Sequence, residues 1–135
     1  MTLPPMIIPT RNRPTSLRSV LKFMTAFYPG VRIFVADGSS ERYTAQYQQA
    51  IQDAKQNIDI TYRKYASSIS VQDRLLDVLQ SISEDIILIG ADDDYPIIES
   101  LEKAAKLLRD NRQAILAIGG IIGLRIHESG RFTAK

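Results

Sequence analysis

No cysteine occurs among the 135 residues. Disulfides and thiolate metal sites are thereby excluded, and a reducing compartment is fitting. Histidine is almost as scarce. His127 stands alone, which argues against zinc, whose sites draw on Cys and His. No apolar run is long enough for a bilayer, which takes about 20 residues; the best, "AILAIGGIIGL" (114–124), falls short. Charge of one sign is also lacking in bulk. The 17 Lys and Arg are scattered among 15 Asp and Glu, leaving +2, so no basic face singles out a nucleic-acid partner. The opening "MTLPPMIIPT" lacks the charged-then-apolar order of a signal peptide. Repeats, low-complexity tracts and interdomain linkers are missing too. These absences predict one domain, residues 1–135, in the cytoplasm.

What is there alternates with regularity. "MIIPT" reads as a short buried strand stopped by Pro9. "PTSLRSVLKFMTAFYPG" carries Leu17, Val20, Leu21 and Met24 at helical spacing, with Thr15 or Ser16 as its cap and Pro29-Gly30 as its end. "VRIFVADGSS" is a second strand breaking at Asp37-Gly38. "ERYTAQYQQAIQDAKQN" is a polar helix with Tyr43, Tyr47, Ala50, Ile51 and Ala54 inward, and "IDITYRKY" a third, more alternating strand nearer a sheet edge. "SVQDRLLDVLQSI" sets Val71, Leu75, Val78, Leu79 and Ile82 on one stripe behind a Ser70–Asp73 capping box. "DIILIGA" is apolar enough for a strand covered on both faces. Ile97, Ile98, Leu101, Ala105 and Leu108 then face inward on a helix, and "AILAIGGIIGLRI" closes as one strand or two. This order predicts an α/β fold: a mostly parallel, Rossmann-like sheet with helices on both faces. Ligands in such sheets bind beyond the carboxyl ends of the strands. Three of those ends carry polar clusters: "PTRNR", "DGSS" and "DDDY".

The last cluster is the most demanding. Asp92, Asp93 and Asp94 repel one another, and each raises the others' pKa unless a cation neutralises them. Asp94 could cap the next helix, with Pro96 in its first turn, but a cap accounts for one carboxylate and not three. A divalent ion held by oxygen ligands accounts for more. Mg²⁺ takes one or two carboxylates and completes its shell with waters and phosphates.

In order and spacing, "IIPTRNRPTSLRSVL", "IFVADGSS" and "ILIGADDDY" resemble the nucleotide-sugar glycosyltransferases of the GT-A fold, family 2 in particular, over Met6 to about Asn111. The resemblance implies a nucleotide-sugar donor, UDP-linked by preference, a Mn²⁺ or Mg²⁺ cofactor, an inverting reaction, and an acceptor that is a glycan, lipid or protein. It also implies roles. Pro9, Thr10, Arg11 and Asn12 match the segment lining base and ribose. Asp37 matches the residue that bonds the base, against the plain alternative of an Asp-Gly turn. Arg11 and Arg13 carry charge suited to phosphates, and Arg74 lies where a polar group often faces the nucleotide. Asp92 and Asp94 match the D-x-D pair, with Asp94 the direct metal ligand and Asp92 or Asp93 nearer the ribose.

One departure stands out. The family's catalytic base lies in an acidic motif far beyond D-x-D, and here only Glu99, Glu102, Asp110 and Glu128 follow Asp94. His127 could approach a metal or be a solvated histidine. The expectation is therefore a donor-binding half cut short on its acceptor side, membrane-associated if its longer native protein is. A non-catalytic nucleotide-sugar-binding module is the alternative. A phosphoryl-transfer domain fits less well, because its acidic residues belong on earlier strands. An apolar face around 114–124 would invite self-association.

Overall fold

The computed structural model describes residues 3–113, together with the backbone of 124–126 and 132–134. Contacts divide the chain into two units, Met1–Tyr95 and Pro96–Lys135.

The first unit is built on four parallel strands: β1 (Met6–Thr10), β2 (Arg32–Asp37), β3 (Asp59–Lys64) and β4 (Leu88–Ile89), in the order β3-β2-β1-β4. The chain runs outward from β1 to β3, then returns across the sheet to lay β4 on the free side of β1. That reversal puts the switch point, and the crevice it opens, between β1 and β4. Three helices connect the strands: α1 (Pro14–Phe27), α2 (Thr44–Lys55), entered through a 3-10 turn at Glu41–Tyr43, and α3 (Val71–Leu79). One sheet face presents Ile7, Phe34 and Ala36 to Val78 of α3, with Leu75, Leu79 and Ile82 packed around them. Alternation sends Thr10 to the other face, where it meets Tyr47 of α2. The expected inner stripe of α1 (Leu17, Val20, Leu21, Met24) is buried, and α1 packs along α2. Tyr47, Ala50, Ile51 and Ala54 are buried as expected, with Tyr43 half-buried in the 3-10 turn.

Several local expectations need correcting. Pro9 does not stop β1. It pairs with Ala36 in register, and it is tolerated because of the side it faces. Ile7 accepts from Gly90 N–H on the β4 side, and Pro9, two residues on, faces the same way. The β1–β4 ladder has ended by then, so no donor is missed. β4 is two residues long where seven were expected. Ile89 is 58% exposed, so β4, the outermost of the described strands, is not covered on both faces. The start of α1 lies at Pro14, with Arg13 in the cap position but making no side-chain capping bond to the helix. Proline's fixed φ and missing N–H suit the first helical position, which places Thr15 and Ser16 inside the helix. The Ser70–Asp73 box is present, with Asp73 N–H donating to Ser70 Oγ at 3.1 Å. The shorter Asp side chain accepts from the Ser70 hydroxyl (2.7 Å) instead of reaching a backbone amide.

The second unit opens with α4 (Ile98–Asp110), capped by Ile97, with Ile98 and Ala105 buried and Leu101 and Leu108 half-buried. Ile97 is 45% exposed, against expectation. A two-stranded antiparallel sheet of β5 (Leu124–Ile126) and β6 (Phe132–Ala134) follows; β6 was not foreseen. The expected strand over 114–123 and its apolar face lie outside the described residues, as do His127 and Glu128. Among the described residues no helix is long and apolar enough to cross a membrane.

Leu17, fully buried where α1 packs on α2, tests the core. Leu17→Ala is expected to lower unfolding free energy by about 2–5 kcal/mol, read as a fall in urea midpoint at unchanged slope.

Candidate nucleotide site at the strand ends

Past Gly90 the chain leaves the ladder and brings Asp92 over the end of β1. Thr10 Oγ donates to Asp92 Oδ2 at 2.8 Å, and Tyr47 Oη lies 2.7 Å from the same hydroxyl. Thr10 has one hydroxyl proton and gives it to the carboxylate, so Tyr47 is the donor in the second bond. Tyr47 in turn accepts from the Arg13 backbone N–H at 2.9 Å. Arg13 closes the loop with its guanidinium, Nη1 reaching Asp92 Oδ1 at 3.1 Å and Nη2 reaching Asp93 Oδ2 at 2.6 Å. The bond to Asp93, then the charges of Asp92 and Asp93, raise the Arg13 pKa. The result is a ring of hydrogen bonds through Arg13, Tyr47, Thr10 and Asp92.

A second cluster secures the end of β2. Asp37 is fully buried. Its Oδ1 accepts from Ser39 N–H at 2.8 Å, its Oδ2 from Tyr62 Oη at 2.6 Å, and Lys64 Nζ lies 3.9 Å away. Lys64 also donates to the Ser39 carbonyl. The Asp37–Ser39 bond is an Asx turn, so Asp37 shapes the "DGSS" bend from within. Asn12, at φ 55, uses the left-handed region that Asn tolerates better than most residues. There it takes Ser39 Oγ on its N–H (2.7 Å) and offers Oδ1 to Ser40 N–H (2.9 Å), tying the ends of β1 and β2 together.

Arg74, on α3, is 4% exposed. Its Nη1 donates to the carbonyls of Thr10 (2.9 Å) and Ala36 (2.7 Å), holding both strand ends from below. Burial pulls its pKa down, and the charge of Asp37 offsets part of that. Gly38 makes room for it. A Cβ there would sit 2.7 Å from Arg74 Cζ.

The structure thus gathers Thr10, Asn12, Asp37, Arg74, Asp92 and Asp93 at the carboxyl ends of β1, β2 and β4. Pro9 lies half-buried within β1, and Arg11 and Asp94 are exposed. Asp94 does not cap α4: Ile97 holds that position. Among the described residues its carboxylate has no ion-pair partner. Arg13 is drawn to the acids. Sequence reasoning left out Tyr47, Tyr62, Lys64 and Ser39 as site residues. Tyr47 carried a signal, since a tyrosine on a buried helix face needs a partner for its hydroxyl.

A divalent ion fits this set in a limited way. No group of three Asp, Glu or His ligands converges among the described residues, and both Asp92 oxygens are engaged. Asp94 is the free carboxylate, and one is enough where phosphates complete the shell. Of the acids beyond it, Glu99 pairs with Lys103 (2.7 Å), which lowers its pKa, and Asp110 pairs with Lys106 (2.5 Å) along α4.

The family model described as Glycosyl transferase family 2 matches residues 6–128. No curated protein matches the sequence.

Two outcomes test the frame. Gly38→Ala would push Arg74 off both carbonyls and is expected to cost about 1–3 kcal/mol, less in an Arg74→Met background; a double-mutant cycle by urea denaturation reads the coupling. Burial and the bond to Asp37 push the Tyr62 hydroxyl pKa well up. Its contribution is therefore complete below the ordinary tyrosine value of about 10 and falls as pH rises above it, because the unfolded chain releases the proton first. The urea midpoint between pH 8 and 11 should drop more steeply for the native chain than for Tyr62→Phe.

Proposed function

The chain belongs to glycosyl transferase family 2, and we propose that its strand ends bind the diphosphate of a nucleotide-sugar donor, UDP-linked by preference, with Mn²⁺ or Mg²⁺ beside Asp94. The observation that carries this reading is the convergence of Thr10, Asn12, Arg13, Asp92 and Asp93 at the switch between β1 and β4. Parallel sheets place ligands at such switches.

The proposed roles combine the family resemblance with this geometry. Pro9, Thr10, Arg11 and Asn12 form the wall against base and ribose, with Asp37 and Arg74 fixing the strand ends behind it. Asp92, held by Thr10, keeps the acidic loop over the crevice and sets Asp93 and Asp94 at its rim. Exposed Arg11 and half-exposed Arg13 supply positive charge for phosphate oxygens. A divalent ion, when bound, supplies a Lewis acid for the departing diphosphate. The acceptor hydroxyl attacks the anomeric carbon as the bond to the diphosphate breaks, with inversion. The hydroxyl proton passes to a general base, which the family resemblance places in an acidic motif beyond Asp94.

Calorimetry of UDP with and without Mn²⁺ tests the donor site. Binding is expected to require the metal and to weaken at least about tenfold, about 1.4 kcal/mol, in Asp94→Asn. Metal-independent binding, no binding, or an unchanged Asp94→Asn would each remove the assignment.

A further inference from the structure

The acidic pair already has a cation, and it belongs to the chain. Arg13 spans Asp92 and Asp93 with separate nitrogens at 3.1 and 2.6 Å. Its backbone is anchored on Tyr47, whereas its side chain is 48% exposed and can swing outward without disturbing the core. A divalent ion arriving alone meets a competitor tethered a few bonds away. A tether gives that competitor a high effective concentration, and its departure leaves a guanidinium without an anion. A diphosphate changes this balance. Guanidinium pairs with phosphate oxygens in a forked geometry, so the arginine gains a partner while two carboxylates are released.

Resting on the nucleotide-site reading above, we propose that Arg13 is a built-in counter-ion that holds Asp92 and Asp93 until a diphosphate draws it away, so that the divalent ion enters with the nucleotide and not ahead of it. Asp92, closed to metal while Arg13 is in place, becomes a ligand only in the loaded state. Metal and nucleotide then bind cooperatively, and the coupling is reciprocal: each strengthens the other by the same factor. Arg13 acts through the acids as a positioning residue.

The test is Mn²⁺ binding to the whole chain, followed by the loss of the free-ion electron paramagnetic resonance signal, with and without UDP. The native chain is expected to bind Mn²⁺ alone weakly and to gain affinity with UDP. Arg13→Gln is expected to bind Mn²⁺ alone about tenfold more tightly, with less added by UDP. A merely structural arginine would give loss and not gain. Should Arg13→Gln lose its helical circular dichroism, Arg13→Lys, which keeps the charge but cannot bridge both carboxylates, is expected to show a smaller gain. Equal Mn²⁺ affinity in the native chain and the folded variant, with metal-dependent UDP binding intact in the native chain, overturns this inference and leaves the nucleotide site standing. No metal-dependent UDP binding by the native chain removes the site and this inference with it.

Discussion

A carboxylate taken out of water is costly unless hydrogen bonds and positive charge replace its hydration. Asp92 is such a group, 5% exposed, and what replaces its hydration comes from the end of β1 and the residue that caps α1. Thr10 gives a proton, Arg13 gives charge, and Tyr47 orients Thr10 while receiving the Arg13 amide. The bond from Thr10, oriented by Tyr47, seats the acidic loop even when the exposed Arg13 side chain moves. The "PTRNR" segment is therefore best understood as the socket for a loop some eighty residues downstream.

The end of β2 solves a related problem by different means. Asp37 and Arg74 both lie buried, and neither forms a direct ion pair with the other. Asp37 is satisfied by Ser39 and Tyr62, and Arg74 by the carbonyls of Thr10 and Ala36. Each charge lies close enough to favour the other, so two burials that would be unfavourable singly become tolerable together. Arg74 Nε stays without a bond, which makes the two carbonyl contacts of Nη1 all the more necessary. The absence of a side chain at Gly38 is a condition of this arrangement.

Much of the architecture was legible because periodicity reports which face is buried. Leu17, Val20, Leu21 and Met24 on α1, the inner face of α2, the Ser70 cap and the parallel order all follow from local pattern. Resemblance to the glycosyltransferases pointed to the strand ends at which these polar side chains gather. Misreadings arose where a residue's meaning depends on what lies across the sheet. Pro9 read as a stop because the sequence does not say which side its missing N–H faces. The alternative of Asp94 as a cap fell because the helix starts later, at Ile98, which nothing local shows. The partners of Asp37 within the fold were not foreseen, because Tyr62 and Lys64 sit on a strand whose pairing is a tertiary fact. The burial of Arg74 was not legible, because helical spacing cannot reveal the two carbonyls above it.

The two-residue ladder of β4 has a consequence of its own. Segments open locally at a free energy set by the contacts they must surrender, and among the described residues β4 pairs with β1 at two positions, Met6 with Leu88 and Ile7 with Ile89, against five between β1 and β2. The acidic rim can thus breathe while the β1–β2–β3 platform stays closed. Amide exchange near Asp92 would proceed through small excursions of this edge and not through global unfolding. Natural selection could then retune the grip of the rim by altering a handful of side chains, leaving the stability of the remaining sheet almost untouched.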